Sequence, residues 1–472
     1  MTKPMNRRVA TVLVGGIAAA ALLAACGPGV PESVQYAEPS ASAGASGEPA
    51  NVTVDVGCEP YADYMGHEGT SVSLFTSVLP PEQQNYEAAW APFEQCTGID
   101  IVYEGSDMFE SQLPTRLAGG SAPDLAWIAQ PALLQSLVEI GGPVPAPQPV
   151  IDKVDEYWNP TWKDYGSVNG TLYGAPNSAD MKSLVWYSPT LFLDKGYAVP
   201  TTWDGLFALS DTMVKDGIKP WCGGIESGAR TGWPATDWLE QVVLRQSGGD
   251  VYDRWVSGEI KFDSPEITLA MDTLAGWMKN PDYVNAGFGD FKTIATTAFQ
   301  DPGKSILDGK CGMLQQGSSY ETQWVSFKED VYLAEDGDVF AFFLPAIDDA
   351  VATNPVVGGG DFTVAFSDRP EVQAVQTYLA SAEYATSRSA QPGSWVSANN
   401  AVPSELYFDP IAALSARNLT DPTSVFRFDA SALMPAAVGE GAEWQELTAW
   451  FAEDKPTQQV LQAIDAAWPA TS

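Results

Sequence analysis

The chain has 472 residues, 45% of them hydrophobic and 11% aromatic, with 60 acidic against 24 basic side chains. That length and composition suffice for two domains with substantial cores. A net charge of −36 argues against nucleic-acid binding, which needs positive charge to displace counterions, and against adsorption to anionic lipid. It suits a solvated extracytoplasmic protein with a neutral or weakly charged ligand.

In chain order, Lys3, Arg7 and Arg8 precede an uncharged run over residues 9–25. The run is shorter than the roughly 20 apolar residues of a membrane-spanning helix and closes on small side chains, as a secretory signal does. Leu23-Ala24-Ala25-Cys26 resembles the lipobox of bacterial lipoproteins. The resemblance implies cleavage before Cys26 and a diacylglycerol on its sulfur. A signal peptide would then cover 1–25, and the protein would be held on the bacterial cell membrane by lipid chains without spanning it. Residues 26–57 carry Pro28, Pro31, Pro39 and Pro49 among Ser, Gly and Ala and read as a flexible tether. Four cysteines remain, Cys58, Cys96, Cys222 and Cys311. An even number in an exported chain predicts two disulfides, for which three pairings exist. No Cys-x-x-Cys occurs and His67 is the sole histidine, so no metal and no cofactor are expected.

The body opens on a short β-rich run at Ser71–Ser77, then a helix whose start is marked by Pro80 and Pro81 and whose apolar face is Tyr86, Ala89, Trp90 and Phe93. The strand IDIVYEG, a helix ending at Gly-Gly, the fully apolar strand PDLAWIAQ and the helix ALLQSLVEIGG follow. Strand alternating with helix predicts right-handed βαβ units on a parallel sheet. Beyond them, Gly170–Ser188 reads as two strands around a turn. A helix capped by Thr201 or Thr202 is next, then one from Trp233 stopping at Gly248-Gly249, and a third over ITLAMDTLAGWMKN. VVGGGDFTVAFS reads as one strand interrupted by glycines, and helices close the chain. No fixed-period repeat is visible.

Several segments together resemble the extracellular solute-binding proteins of ABC importers, family 1, the class of maltose- and α-glucoside-binding lipoproteins. They are APDLAWIAQPALLQSLVEIG; the spacing of Tyr187, Leu191, Phe192, Gly196, Pro200, Thr202, Trp203 and Leu206; SILDGKCGMLQQGS; and PWCGGIESGARTGWPATDW. The resemblance covers roughly 58–472. It implies an α/β, two-lobed periplasmic-binding-protein-like fold with a ligand cleft between lobes. The first lobe would be 58–180 plus 338–385 and the second 181–337 plus 386–472, with crossings near 177–181, 338–343 and 383–389. It also implies pairing of Cys222 with Cys311, in line with the favoured pairs Cys58–Cys96 and Cys222–Cys311. Each pair then lies within one lobe.

On this reading the protein is a monomer that is not an enzyme. It captures a sugar, an α-glucoside or other oligosaccharide, by lobe closure and delivers it to the permease subunits of an ABC importer. Sugars present apolar C–H faces and a belt of hydroxyls, so a sugar site needs aromatic faces with donors and acceptors around them. The family positions and strand ends single out Trp233, Tyr320, Trp395 and Trp444 as rings, and Ser77, Gln130, Asp180 and Asp361 as polar groups. Asp237 is a further candidate, whereas Arg427 and Asp429 read as a pair with each other. The rival reading is an exported glycoside hydrolase with two carboxylates about 5–9 Å apart. No carboxylate pair stands out, and no Gly-x-Ser-x-Gly elbow occurs.

Overall fold

The computed structural model describes residues 57–80, 82–285, 288–347 and 351–469. The signal run, Cys26, the tether up to residue 56 and Pro81 lie outside them. No helix among the described residues is long and apolar enough to cross a membrane.

Two α/β lobes are built around separate sheets. The first sheet has the order β2-β1-β3-β13-β6, from β1 (Ser71–Thr76), β2 (Asp100–Gly105), β3 (Leu125–Ile128), β6 (Gly174–Pro176) and β13 (Phe362–Ala365). Between β3 and β6 a short hairpin forms from β4 (Ser167–Val168) and β5 (Thr171–Leu172). β1 runs parallel to β2 and to β3, as the alternation of strand and helix predicts. β3 is buried at all four positions because helices cover both faces, so it shows no polar alternation.

The second sheet has the order β11-β8-β10-β9, from β8 (Leu184–Tyr187), β9 (Lys219–Trp221), β10 (Cys311–Gln315) and β11 (Phe340–Phe343). The spacing noted after Tyr187 has a physical content here. Ser188 caps the helix Pro189–Lys195 through Leu191 N–H, and Gly196 ends it in the left-handed region at φ 70°. Thr202 then caps the helix Trp203–Lys215 through Gly205 N–H, and Trp203 and Leu206 are buried.

A third sheet joins the lobes, in the order β14-β12-β7, from β7 (Asp180–Met181), β12 (Pro355–Gly359) and β14 (Val425–Phe428). It accounts for three departures from the sequence reading. Gly170–Ser188 is not one hairpin but short strands feeding different sheets. VVGGGDFTVA is two strands: β12 belongs to the connecting sheet and β13 to the first. The glycines between them permit close backbone approach, since a Cβ at Gly360 would lie 2.2 Å from Ser178 O and one at Gly358 2.8 Å from Asp180 O. Finally, β11 pairs antiparallel with β8. The passage expected near 338–343 therefore falls at 355–361, where β12 leads to β13.

The helix opened by Trp233 runs on to Val256, bending at Gly248 (φ 80°, ψ 175°) where a stop was expected. Disulfides join Cys58 to Cys96 and Cys222 to Cys311, with Cα–Cα separations of 5.5 and 6.0 Å. The first ties the turn at Glu59–Tyr64 to the end of the helix Glu82–Thr97. The second ties the segment after β9 to β10.

Candidate ligand-binding cleft

Where the crossing segments pass between the lobes there is a cleft of about 680 Å³. That volume falls within the range of small-molecule sites. All eight residues singled out from the sequence line it: Ser77, Gln130, Asp180, Trp233, Tyr320, Asp361, Trp395 and Trp444. They do not line it in the same way.

Trp233 and Trp444 are half-buried and offer ring surface. Gly232 brings the backbone before Trp233 against that of Trp444. Its φ of 114° and its contact with the Trp444 backbone leave no room for a Cβ, which would lie 2.4 Å from Trp444 O. Trp233 also packs edge-on against Phe299, with ring centroids 5.2 Å apart. Trp395 is only 5% exposed. Its ring lies between the Arg388 guanidinium, Tyr384 and Tyr407, so it gives the cleft an edge rather than a face. Tyr320 is 2% exposed, and its hydroxyl donates to Gln300 O and accepts from Gly303 N–H.

The polar groups come chiefly from the crossings. Asp180, at β7, accepts from the Ser318 hydroxyl (2.6 Å), Ser319 N–H (3.1 Å) and the Ser319 hydroxyl (3.2 Å). Asp361, between β12 and β13, accepts from the Ser178 hydroxyl at 2.7 Å. Burial pushes its carboxyl up from the ordinary range, and the Ser178 bond opposes the shift. Ser77 is exposed just after β1. Gln130, at the start of the helix Pro131–Glu139, has a buried Oε1 without a partner, and the indole N–H groups of Trp395 and Trp444 are likewise buried and unpaired. These three atoms, two donors and an acceptor, belong to residues that line the cleft.

The sequence reading missed Lys182. It stands beside the crossing strand and its Nζ lies 2.7 Å from Asp237 Oδ1 and against Asp429 Oδ2. Asp429 therefore pairs with Lys182 and not with Arg427, which forms a two-point ion pair with Asp253. Carboxylate oxygens of Asp237, Glu240 and Asp429 lie within 4.8 Å of one another. The cation among them is the protein's own ammonium, so the group does not call for a metal. Arg230 and Glu440 line the cleft from the segment before Trp233 and from the π-helical turn Ala437–Glu443. Glu82 and Tyr86 line it from the first lobe, and Glu82 is paired with the fully buried Arg388. A charged residue beside the short crossing strand was the available signal for Lys182; the others carry none, since only the tertiary fold brings them here.

The family model for bacterial extracellular solute-binding proteins matches residues 79–392. The chain belongs to that family. It is 34% identical over 401 residues to the osmoprotective compounds-binding protein GgtB of Synechocystis, covering 84% of this chain and 92% of that one. It is 32% identical over 414 residues to the alpha-glucosides-binding periplasmic protein AglE of Rhizobium meliloti, covering 85% and 88%. In three dimensions it resembles the bacterial solute receptor AcbH, described as having an exclusive preference for β-D-galactopyranose, with a TM-score of 0.70 at 19% identity over 85% of this chain and 98% of that one. Members of this family are binding proteins, and the family name places them outside the cytoplasm.

Proposed function

We propose that this protein is the sugar-capturing component of an ABC importer, taking an α-glucoside or other oligosaccharide into the cleft by lobe closure and handing it to the permease. One observation carries the reading: the half-buried rings of Trp233 and Trp444 stand beside unpaired buried donors and acceptors and the carboxylates Asp180 and Asp361. A sugar ring offers the complementary pattern, with C–H faces for indoles and hydroxyls for the polar edge. The name of AglE, an alpha-glucosides-binding protein, agrees with such a guest. The eight residues singled out in the sequence are then the ligand contacts, with Trp395 and Tyr320 forming wall more than stacking surface. Anchoring through a lipid on Cys26 would keep the monomeric body beside its permease.

The test is a thermal-shift panel of α- and β-linked disaccharides with product analysis. A ligand at 100 times its Kd adds about 2.7 kcal/mol to stability. Stabilisation without turnover supports the proposal; release of monosaccharide would replace it with hydrolysis.

A further inference from the structure

The Lys182 ammonium is surrounded by more carboxyl groups than it can neutralise. Asp237 and Glu240 reach it from the helix Trp233–Val256, Asp429 from the segment after β14, and Glu443 stands behind from the π-helical turn. Asp237 is 3% exposed, and Glu240 and Glu443 are fully buried. Glu443 has both oxygens unpartnered. Glu240 faces the Tyr252 hydroxyl at 3.3 Å and Ser431 N–H at 3.1 Å. Asp180 and Asp429 add to the negative field at Asp237. Asp237, Glu240 and Asp429 around one ammonium, with the buried Glu443 behind them, cannot all be ionised. The side chains of Lys182 and Asp429 are each 12% exposed, and both residues form part of the cleft wall. Two of the three Lys182 N–H donors go to Asp237 and Asp429, and the Nζ also stands 5.7 Å from the centroid of the Trp233 ring, on the cleft side.

We infer that Lys182 and Asp429 are a hydroxyl-recognition pair for the ligand, and that closing the cleft over them draws a proton onto the carboxyl cluster behind. This rests on the reading of the cleft as a sugar site. The third ammonium N–H donates to a sugar hydroxyl, which in turn donates to Asp429, giving two charge-assisted hydrogen bonds. Closure removes the remaining water. With Asp237 and Asp429 both ionised, the Lys182 triad carries a net charge of −1. With Asp237 protonated it is neutral and cheaper to desolvate. Burial already pushes the Asp237 carboxyl up to about 7, and the Glu240 and Glu443 carboxyls well above the ordinary range. Affinity therefore falls as pH rises through neutrality.

The experiment is calorimetric titration of maltose, sucrose and trehalose into the wild-type protein between pH 6 and pH 8.5, in buffers of differing ionisation enthalpy. The expected result is proton uptake on binding and a several-fold loss of affinity over that span, with about tenfold per pH unit as the ceiling for one proton. Asp237→Asn is expected to abolish the uptake, an effect that mere loss of packing would not produce. Binding with no proton linkage, or with equal linkage in Asp237→Asn, overturns the inference and leaves the sugar reading intact; no binding of these or the wider panel removes the sugar reading itself. A ligand-free check is ¹³C-carboxyl NMR: Asp237 should titrate near neutrality, and a signal ionised throughout pH 5–9 overturns the inference.

Discussion

The cleft has two acidic stations of similar composition and opposite character. At one, Asp180 and Asp361 accept from serine hydroxyls and a backbone N–H at the partly open crossings. At the other, Asp237, Glu240 and Asp429 crowd one ammonium in a nearly sealed volume. Neutral donors can hold a carboxylate that keeps some contact with water. A sealed carboxylate needs a cation or a proton. Burial raises carboxyls at both stations, at Asp361 as at Asp237, but only the second also crowds several carboxylates around one cation.

The harshest way to break this contrast is Lys182→Met, which leaves the sealed carboxyls without a cation. Removing one partner from a buried pair costs about 3–5 kcal/mol. Thermal denaturation should show the loss to be larger at pH 8 than at pH 5.5, because protonation relieves the repulsion.

Trp395→Ala should cost about 3 kcal/mol or more in stability, since it empties a site packed by Tyr384, Tyr407 and Arg388. Trp233→Ala should behave inversely, with a small change in melting temperature and about a tenfold weaker sugar Kd, on the order of 1.4 kcal/mol. Paired denaturation and titration separate the two.

The pH profile of the ligand-free protein sharpens the comparison. The folded Asp237 carboxyl, at about 7, lies above its ordinary value of 3.8. Its contribution is thus fully present below about pH 4 and is lost as pH rises toward 7. Glu240 acts in the same direction. Melting temperature should fall between pH 5 and pH 7, and Glu240→Gln should flatten that fall. The smallest effect is expected at the open station: Ser178→Ala removes two hydrogen bonds with Asp361, one donated to its carboxylate and one accepted from its N–H, each worth about 0.5–1.5 kcal/mol in denaturant unfolding.

The split between the stations was half legible in the sequence. Strand ends and glycines pointed to Ser77, Gln130 and Asp361, because local chain geometry places them at the mouths of strands, and the crossing implied by the family resemblance pointed to Asp180. Lys182, Glu82 and Arg230 reach the cleft through long-range topology. The Gly358–Gly360 run read as one weakened strand, since its close approach to Ser178 and Asp180 is visible only in three dimensions. The alternating strands and helices of the first lobe were legible because hydrophobic period and caps agree there. The crossing at 355–361 was not, because β11 is apolar enough for either sheet, and only pairing with β8 decides.

The central claim is that the indoles of Trp233 and Trp444 hold a sugar in the cleft without cleaving it. The most direct measurement is calorimetric titration of the disaccharide panel into the wild-type protein and into the Trp233→Ala/Trp444→Ala double variant, with product analysis of each mixture. Saturable binding to the wild type, at least a tenfold loss in the double variant and intact sugar at the end are predicted. Equal affinity in both proteins, or accumulation of cleaved sugar, would contradict the account.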